Sequence, residues 1–389
     1  MACYYFHPMA PLPFLPFLQK RLPQMLETLR ELTLHESPSL EKEPADRCCQ
    51  FLAETWLERG AIAEIIRHEA RGNHLRVVWA PSGARPKSQF VVLGHYDTVY
   101  PTGTLGKMPF RVEYGKAYGP GTFDMKAGIV QALFALDALR ELHATVERRL
   151  VFLWTSDEEI GSNSSRKLIE EEAKRSDAVF VLEPSLGPRG LAKTSRKGVG
   201  EAKLIVHGRA SHAGLAPEKG VNAIHELAAQ IVRIEKWNNL RQGITINADI
   251  VSGGSRTNVM ADRAEAMLDL RAWRNADMRA LERRLHSLKP VHRGAKLEIH
   301  GGFDRPPLER KHSAALFARA KAIARELGFS LGEAAAGGGS DGNFTAALGV
   351  PTLDGLGAVG DGAHAAHEHI VVNTMPQRAA LLAALLASC

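Results

Sequence analysis

Three short apolar runs frame the chain. They are Gln89-Phe90-Val91-Val92-Leu93-Gly94-His95-Tyr96-Asp97, Leu150-Val151-Phe152-Leu153-Trp154-Thr155-Ser156-Asp157-Glu158-Glu159 and Ala178-Val179-Phe180-Val181-Leu182-Glu183. Apolar residues follow one another in these runs rather than alternating with polar ones. That pattern predicts strands buried on both faces, as in a parallel sheet. Each run ends in a histidine or a carboxylate. Ligands of open α/β sheets bind in the crevice beyond the carboxyl ends of the strands, so these groups are expected at one edge.

Around the runs, apolar residues at three-to-four spacing predict helices over about 17–32 and 46–59, with Pro23 kinking the first or delaying its start. A Pro- and Gly-rich loop runs from Pro101 to Asp124. The segment 127–142 reads as a buried helix, with Ile129, Leu133, Leu136 and Leu139 on one face. Strand 150–154, helix 164–174 and strand 179–182 make a βαβ unit whose crossover should be right-handed. The pattern changes near Arg196. Strand 202–207, helix 220–237, strands 244–251 and 264–272, helix 277–288 and strand 296–300 follow in the order β-α-β-β-α-β of a ferredoxin-like unit. Val221, Ile224, Ala228, Ile231 and Ile234 mark the apolar face of its first helix. The α/β pattern then resumes with a helix at 313–327, a Gly run at 337–339, the segment 344–348 and a last helix at 376–387.

The expected architecture is therefore α/β. A mixed-sheet domain with helices on both faces, residues 1–196 and 303–389, is interrupted by an inserted ferredoxin-like α+β domain at 197–302. With 389 residues the chain has ample length for both. Its 45% hydrophobic and 24% charged residues are ordinary for a globular protein, and the net charge of +6 includes no Lys/Arg block. Nucleic-acid binding is therefore unsupported. No apolar stretch approaches the roughly 20 residues needed to span a membrane. Met9, Leu12, Phe14 and Leu15 follow no basic segment and are interrupted by Pro11, Pro13 and Pro16, unlike a signal peptide. Cys3, Cys48, Cys49 and Cys389 have no metal-site spacing, and a reducing cytoplasm fits them.

The chemistry lies at the ends of the runs. His95 and Asp97 are two apart, so an extended backbone points both to one side and the carboxylate can hold a ring nitrogen of the histidine. Asp124 follows a Gly-Pro-Gly turn. Glu158 and Glu159 are adjacent and point differently, so one can bind a metal while its neighbour takes protons. His364 lies in a Gly-rich loop. Each residue also has a plain reading: a turn aspartate, a solvated helix start, surface histidines at 364, 367 and 369. Against that, buried carboxylates that end apolar runs are costly without a cation or a proton.

Six ordered motifs reach a known family. They are His95-Tyr96-Asp97-Thr98-Val99, Gly119-Pro120-Gly121-Thr122-Phe123-Asp124-Met125-Lys126, Asp157-Glu158-Glu159-Ile160-Gly161-Ser162, Leu182-Glu183-Pro184, Gly208-Arg209-Ala210-Ser211-His212-Ala213-Gly214 and Gly338-Gly339-Ser340-Asp341. From about Gly94 to Ile370 the chain resembles the zinc-dependent glutamate carboxypeptidase, acetylornithine deacetylase and succinyl-diaminopimelate desuccinylase family. It is most similar to the glutamate carboxypeptidase branch. The resemblance implies a two-zinc site with ligands His95, Asp124, Glu159, Glu183 and His364, Asp124 bridging. Asp97 is implied as the partner of His95 and Glu158 as the general base. His212 matches a histidine that stabilises the oxyanion from the other subunit of a dimer formed through the inserted lid. Asn258, Arg271, Arg305 and Gly339 match positions that bind the substrate carboxylate.

The sequence departs from the family pattern in two places. Ala261 stands where many members have proline. His364-Ala365-Ala366-His367-Glu368-His369 has histidine where Asp or Asn usually precedes the glutamate. His364 is preferred as ligand because Glu368 follows four residues later; His367 is the rival. The implied function is a dinuclear zinc hydrolase, a cytoplasmic homodimer, that releases a C-terminal acidic amino acid from a small or short-peptide substrate with a free carboxylate. An N-acyl-amino-acid deacylase or a dipeptidase is the alternative, a catalytically dead binding protein is a third, and Co²⁺ or Mn²⁺ can replace zinc in such a ligand set.

Overall fold

Alternate residues of the three apolar runs serve two different cores. Val91, Leu93, Val151, Leu153, Val179 and Val181 pack with Ile169, Ala173 and Phe344. Phe90, Val92, Leu150, Phe152, Trp154 and Phe180 pack with Leu52, Trp56, Leu133, Leu136, Leu381 and Leu385. Both faces of the sheet are covered by helices, which is why the runs are apolar at every position. The computed structural model describes residues 13–81, 86 and 88–388. Cys3, Met9, Pro11, Leu12 and Cys389 lie outside the described residues. Cys48 and Cys49 are buried and free. Among the described residues no helix is long and apolar enough to cross a membrane.

The chain divides into two compact units, one of residues 1–194, 310–335 and 340–389, the other of residues 195–309 and 336–339. In the first, strands lie in the order Ile62–Ile66, His74–Trp79, Arg149–Thr155, Gln89–His95, Ser176–Val181 and Thr352–Leu353. The 89–95 strand is parallel to both neighbours, whereas the 62–79 hairpin is antiparallel, so the sheet is mixed. The buried helix is Ala127–Glu141. At its start, a Cβ on Gly128 would lie 2.5 Å from the Leu182 carbonyl oxygen. Only glycine lets this helix seat against the end of the 176–181 strand.

A smaller sheet in the same unit was not foreseen. Its strands are ordered Gly360–Asp361, His369–Val371, Lys116–Tyr118 and Arg111–Glu113, with His369 opposite Tyr118. Strands of two or three residues leave no periodic trace in a sequence. Their pairing sets the loop after Tyr118 beside the loop before His369.

The second unit runs Gly198–His207, Ala223–Glu235, Thr245–Gly253, Arg263–Ala272, Asn275–His286 and Lys296–Arg305. Its antiparallel sheet has the order 245–253, 263–272, 198–207, 296–305, the ferredoxin-like arrangement. Asn222 caps the 223–235 helix by accepting the Ile224 and His225 N–H groups. Arg196 and Leu308 exchange backbone hydrogen bonds, so the segments entering and leaving the unit lie side by side.

Several expectations need correction. The single first helix is two, Phe14–Lys20 and Leu22–Leu34, with Pro23 in the first turn of the second, where its missing N–H costs nothing. The strand expected at 150–154 runs from Arg149 to Thr155, and Glu158 and Glu159 follow it in the turn Glu158–Ile160 rather than at the strand end itself. The buried stripe of the 223–235 helix is Ala223, Glu226, Leu227, Gln230 and Ile234, whereas Ile224 is 42% exposed. Two polar residues enter that stripe because Glu226 accepts the Val291 and His292 N–H groups and a bond from Gln230.

Candidate metal centre

The three parallel strands end side by side, and their exits carry the candidate ligands. His95 is the last residue of its strand, and Asp97 lies two beyond it. Glu158 and Glu159 lie in the turn after the 149–155 strand, and Glu183 lies two residues past the 176–181 strand. Asp124 comes from the turn Thr122–Lys126, ahead of the 127–141 helix. His364 comes from the loop of the small sheet, with φ of 62°.

Asp124 stands between two histidines. Its Oδ1 is 3.3 Å from His95 Nε2 and its Oδ2 is 3.6 Å from His364 Nε2. Glu183 Oε1 lies 3.4 Å from the same His95 nitrogen, and Glu159 Oε2 lies 3.0 Å from His364 Nε2. His367 is placed otherwise: its carbonyl oxygen lies 2.8 Å from His369 Nδ1. On the far side of the His95 ring, Nδ1 is 3.3 Å from Asp97 Oδ1 and 3.1 Å from the Asp97 carbonyl oxygen. Asp97 Oδ2 also accepts a hydrogen bond from Ser39 Oγ at 2.7 Å.

The residues fit a pair of divalent cations. His95 Nε2 and Asp124 Oδ1 are buried without a hydrogen-bond partner, a costly state for polar atoms unless a ligand completes them. Ligand atoms of His95, Glu158 and Glu183 lie within 4.8 Å of one another, as do those of His95, Asp124 and Glu159. A nitrogen and several carboxylate oxygens suit zinc, cobalt or manganese.

The electrostatics agree. Burial opposes a charge on His95, but the Asp124, Asp97 and Glu183 carboxylates outweigh it and hold the imidazole pKa well above its ordinary value. Burial holds the Glu159 carboxyl above the usual carboxylate range, against the pull of His364 and with the support of Asp124. The hydrogen bond to Glu159 raises His364 in turn, to about 9. Without a cation, protons offset the crowded negative charge.

The second unit holds the other predicted residues. His212 Nδ1 accepts the Gly214 and Leu215 N–H groups. Ala213 N–H donates to the Asn258 carbonyl, so His212 and Asn258 are neighbours. Arg271 makes a two-pronged ion pair with Asp269, with Nε and Nη2 each 2.9 Å from a carboxylate oxygen. Gly339 lies against Arg305, where an added Cβ would be 2.8 Å from Cδ. Arg196, which the motifs did not single out, donates to the carbonyls of Gly338 and Gly339. Ser39 and Arg196 act through contacts distant in sequence, and no local pattern marks them.

The model of Peptidase family M20/M25/M40 matches residues 91–388. The chain belongs to this peptidase family. Carboxypeptidase G2 of Pseudomonas sp. (strain RS-16) is 34% identical over 309 residues, 78% of this chain and 74% of the relative. Succinyl-diaminopimelate desuccinylase of Paraburkholderia xenovorans (strain LB400) is 29% identical over 349 residues, 85% of this chain and 90% of the relative. Among solved structures, aminopeptidase PepT from Bacillus cereus ATCC 10987 has the same fold, with a TM-score of 0.76 at 22% identity, over 94% of this chain and 98% of that one. As a member of family M20/M25/M40 the protein is a hydrolytic metallopeptidase acting on amide bonds.

Proposed function

We propose that the protein is a dinuclear zinc hydrolase that cleaves the amide bond to a C-terminal acidic amino acid, as a glutamate carboxypeptidase does. The observation that carries the reading is Asp124, whose two oxygens face His95 and His364 separately. In this reading His95, Asp124 and Glu183 hold one ion, and Asp124, Glu159 and His364 the other. Asp97 fixes the His95 ring, so that Nε2 faces the ion. When bound, the ions supply Lewis-acid polarisation of the substrate carbonyl and acidify water.

Glu158 is the general base. It takes the proton of the attacking water and returns it to the leaving amine. His212 is assigned to the developing oxyanion, which a preorganised donor stabilises as charge forms. Asn258, Arg271, Arg305 and Gly339 are assigned to the substrate carboxylate, which guanidinium groups bind in two-pronged fashion. Homodimerisation is proposed through the outer edge of the second unit's sheet, where the 245–253 strand exposes Ile250 and Val251. Free Cys48 and Cys49 suit a reducing compartment, and the cytoplasm is proposed.

A substrate screen with zinc-loaded enzyme tests the reading. N-acyl amino acids and dipeptides ending in Glu, Asp, Ala, Arg or ornithine are compared by kcat/KM. The acidic C-termini should lead. Preference for N-acetylornithine or N-succinyl compounds would replace the carboxypeptidase reading with a deacylase.

A further inference from the structure

Glu368 joins two loops that approach the centre from opposite ends of the sequence. It is fully buried. Its Oε2 accepts the Gly121 N–H at 2.9 Å, and its Oε1 accepts those of Phe123 at 2.8 Å and Asp124 at 3.0 Å. Its own carbonyl receives the Gly119 N–H. These three donors belong to the turn ahead of the 127–141 helix, where backbone N–H groups lack intrahelical acceptors. Hydrogen bonds to an ionised carboxylate are about twice as strong as neutral ones. One of the three fixes the backbone of Asp124 itself, which with φ −116° and ψ 94° is non-helical, as is Met125 after it. Glu368 also stands four residues after His364, on a loop whose Ala365 carbonyl accepts the Tyr100 hydroxyl at 3.1 Å.

We propose that Glu368 is a positioning residue that sets Asp124 between His95 and His364, making the Asp124 and His364 loops one rigid holder for both ions. The inference rests on the dinuclear reading above. Glu368 touches neither substrate nor ion in this scheme; it acts through the backbone of Asp124. Because Asp124 faces both histidines, loosening it should weaken both ions together. Loss of His364 alone should weaken only one.

The test compares wild type, E368Q, E368D and H364A as metal-free proteins titrated with zinc against a competing chelator, with hydrogen exchange followed over 119–126. In E368Q an amide NH₂ replaces one acceptor and faces N–H donors. Expected are a 10- to 100-fold loss of affinity for both ions, faster exchange confined to 119–126, and partial recovery in E368D, which keeps the charge. H364A should lose one ion. Should E368Q fail to fold, E368D carries the same comparison. Wild-type affinity in the folded variants overturns the proposal, and so does protection lost evenly across the 89–95 and 149–155 strands. A wild type that does not bind two ions refutes the dinuclear reading, whereas two ions held equally well by wild type and E368Q refute only the role of Glu368.

Discussion

Asp97 and Glu159 are joined through the backbone: an Asp97 carboxylate oxygen accepts the Glu159 N–H at 3.2 Å, while the other accepts that of Glu158 at 3.3 Å. The carboxylate that steadies the His95 ring therefore also steadies the turn bearing the proposed base and a proposed ligand. Asp97→Ala should lower zinc affinity by about 10- to 100-fold, the usual cost of losing a group that orients a ligand. Zinc titration of the metal-free variant measures it. Unchanged affinity would mean that Asp97 does not orient the site.

Glu158→Gln separates chemistry from metal binding. Turnover should fall by about 10²- to 10⁴-fold, the usual share of a general base. Two ions per chain should remain, as counted by elemental analysis. A variant that keeps full turnover would remove Glu158 from its role.

Metal removal is the broadest check. Dialysis against a chelator should abolish amide hydrolysis, and Zn²⁺, Co²⁺ or Mn²⁺ should restore it to different degrees. Hydrolysis that persists in protein shown to be metal-free would refute the dinuclear mechanism.

Glu226 sets an acid limit on the second unit. Burial opposes its charge, but bonds from Gln230, Val291 and His292 win and hold its pKa below the ordinary value of 4.5. A pKa lower in the folded than in the unfolded chain gives stability that is complete above the unfolded value and is lost as pH falls through the folded one. Urea unfolding of the wild type should therefore weaken below about pH 4.5, and Glu226→Gln should flatten that slope. Equal slopes in the two proteins would contradict the assignment.

Gly128→Ala places a methyl group against the Leu182 carbonyl. Overpacking of this kind costs about 1–3 kcal/mol, because a backbone oxygen cannot swing aside. Thermal unfolding of the metal-free protein should show the loss. An unchanged melting temperature would mean that the helix can shift without penalty.

Legibility in the sequence followed physical range. Val91, Phe152 and Val179 are apolar because both sheet faces are covered, so the parallel strands were readable from their composition. The ferredoxin-like order was readable because each element is long enough to show a period. The convergence of His95, Asp124, Glu159, Glu183 and His364 could be expected from strand ends and ordered motifs. Ser39 and Glu368 could not, because each acts through one hydrogen-bonded contact with a distant segment. The Ile224 face was misassigned because Glu226 and Gln230 are buried by bonds to the 289–292 segment, which hydrophobicity does not register. The ion pair of Arg271 with Asp269 depends on side-chain conformations that spacing does not encode.

The paired peptide groups of Arg196 and Leu308 make a doorway barely one strand spacing wide. Whatever is threaded through such a narrow gap can be lengthened, exchanged or trimmed in evolution with its ends still meeting, while the strand ends bearing His95 and Glu183 stay as they are. Changes of length and surface can thus accumulate in the insert without disturbing the strand ends of the first unit.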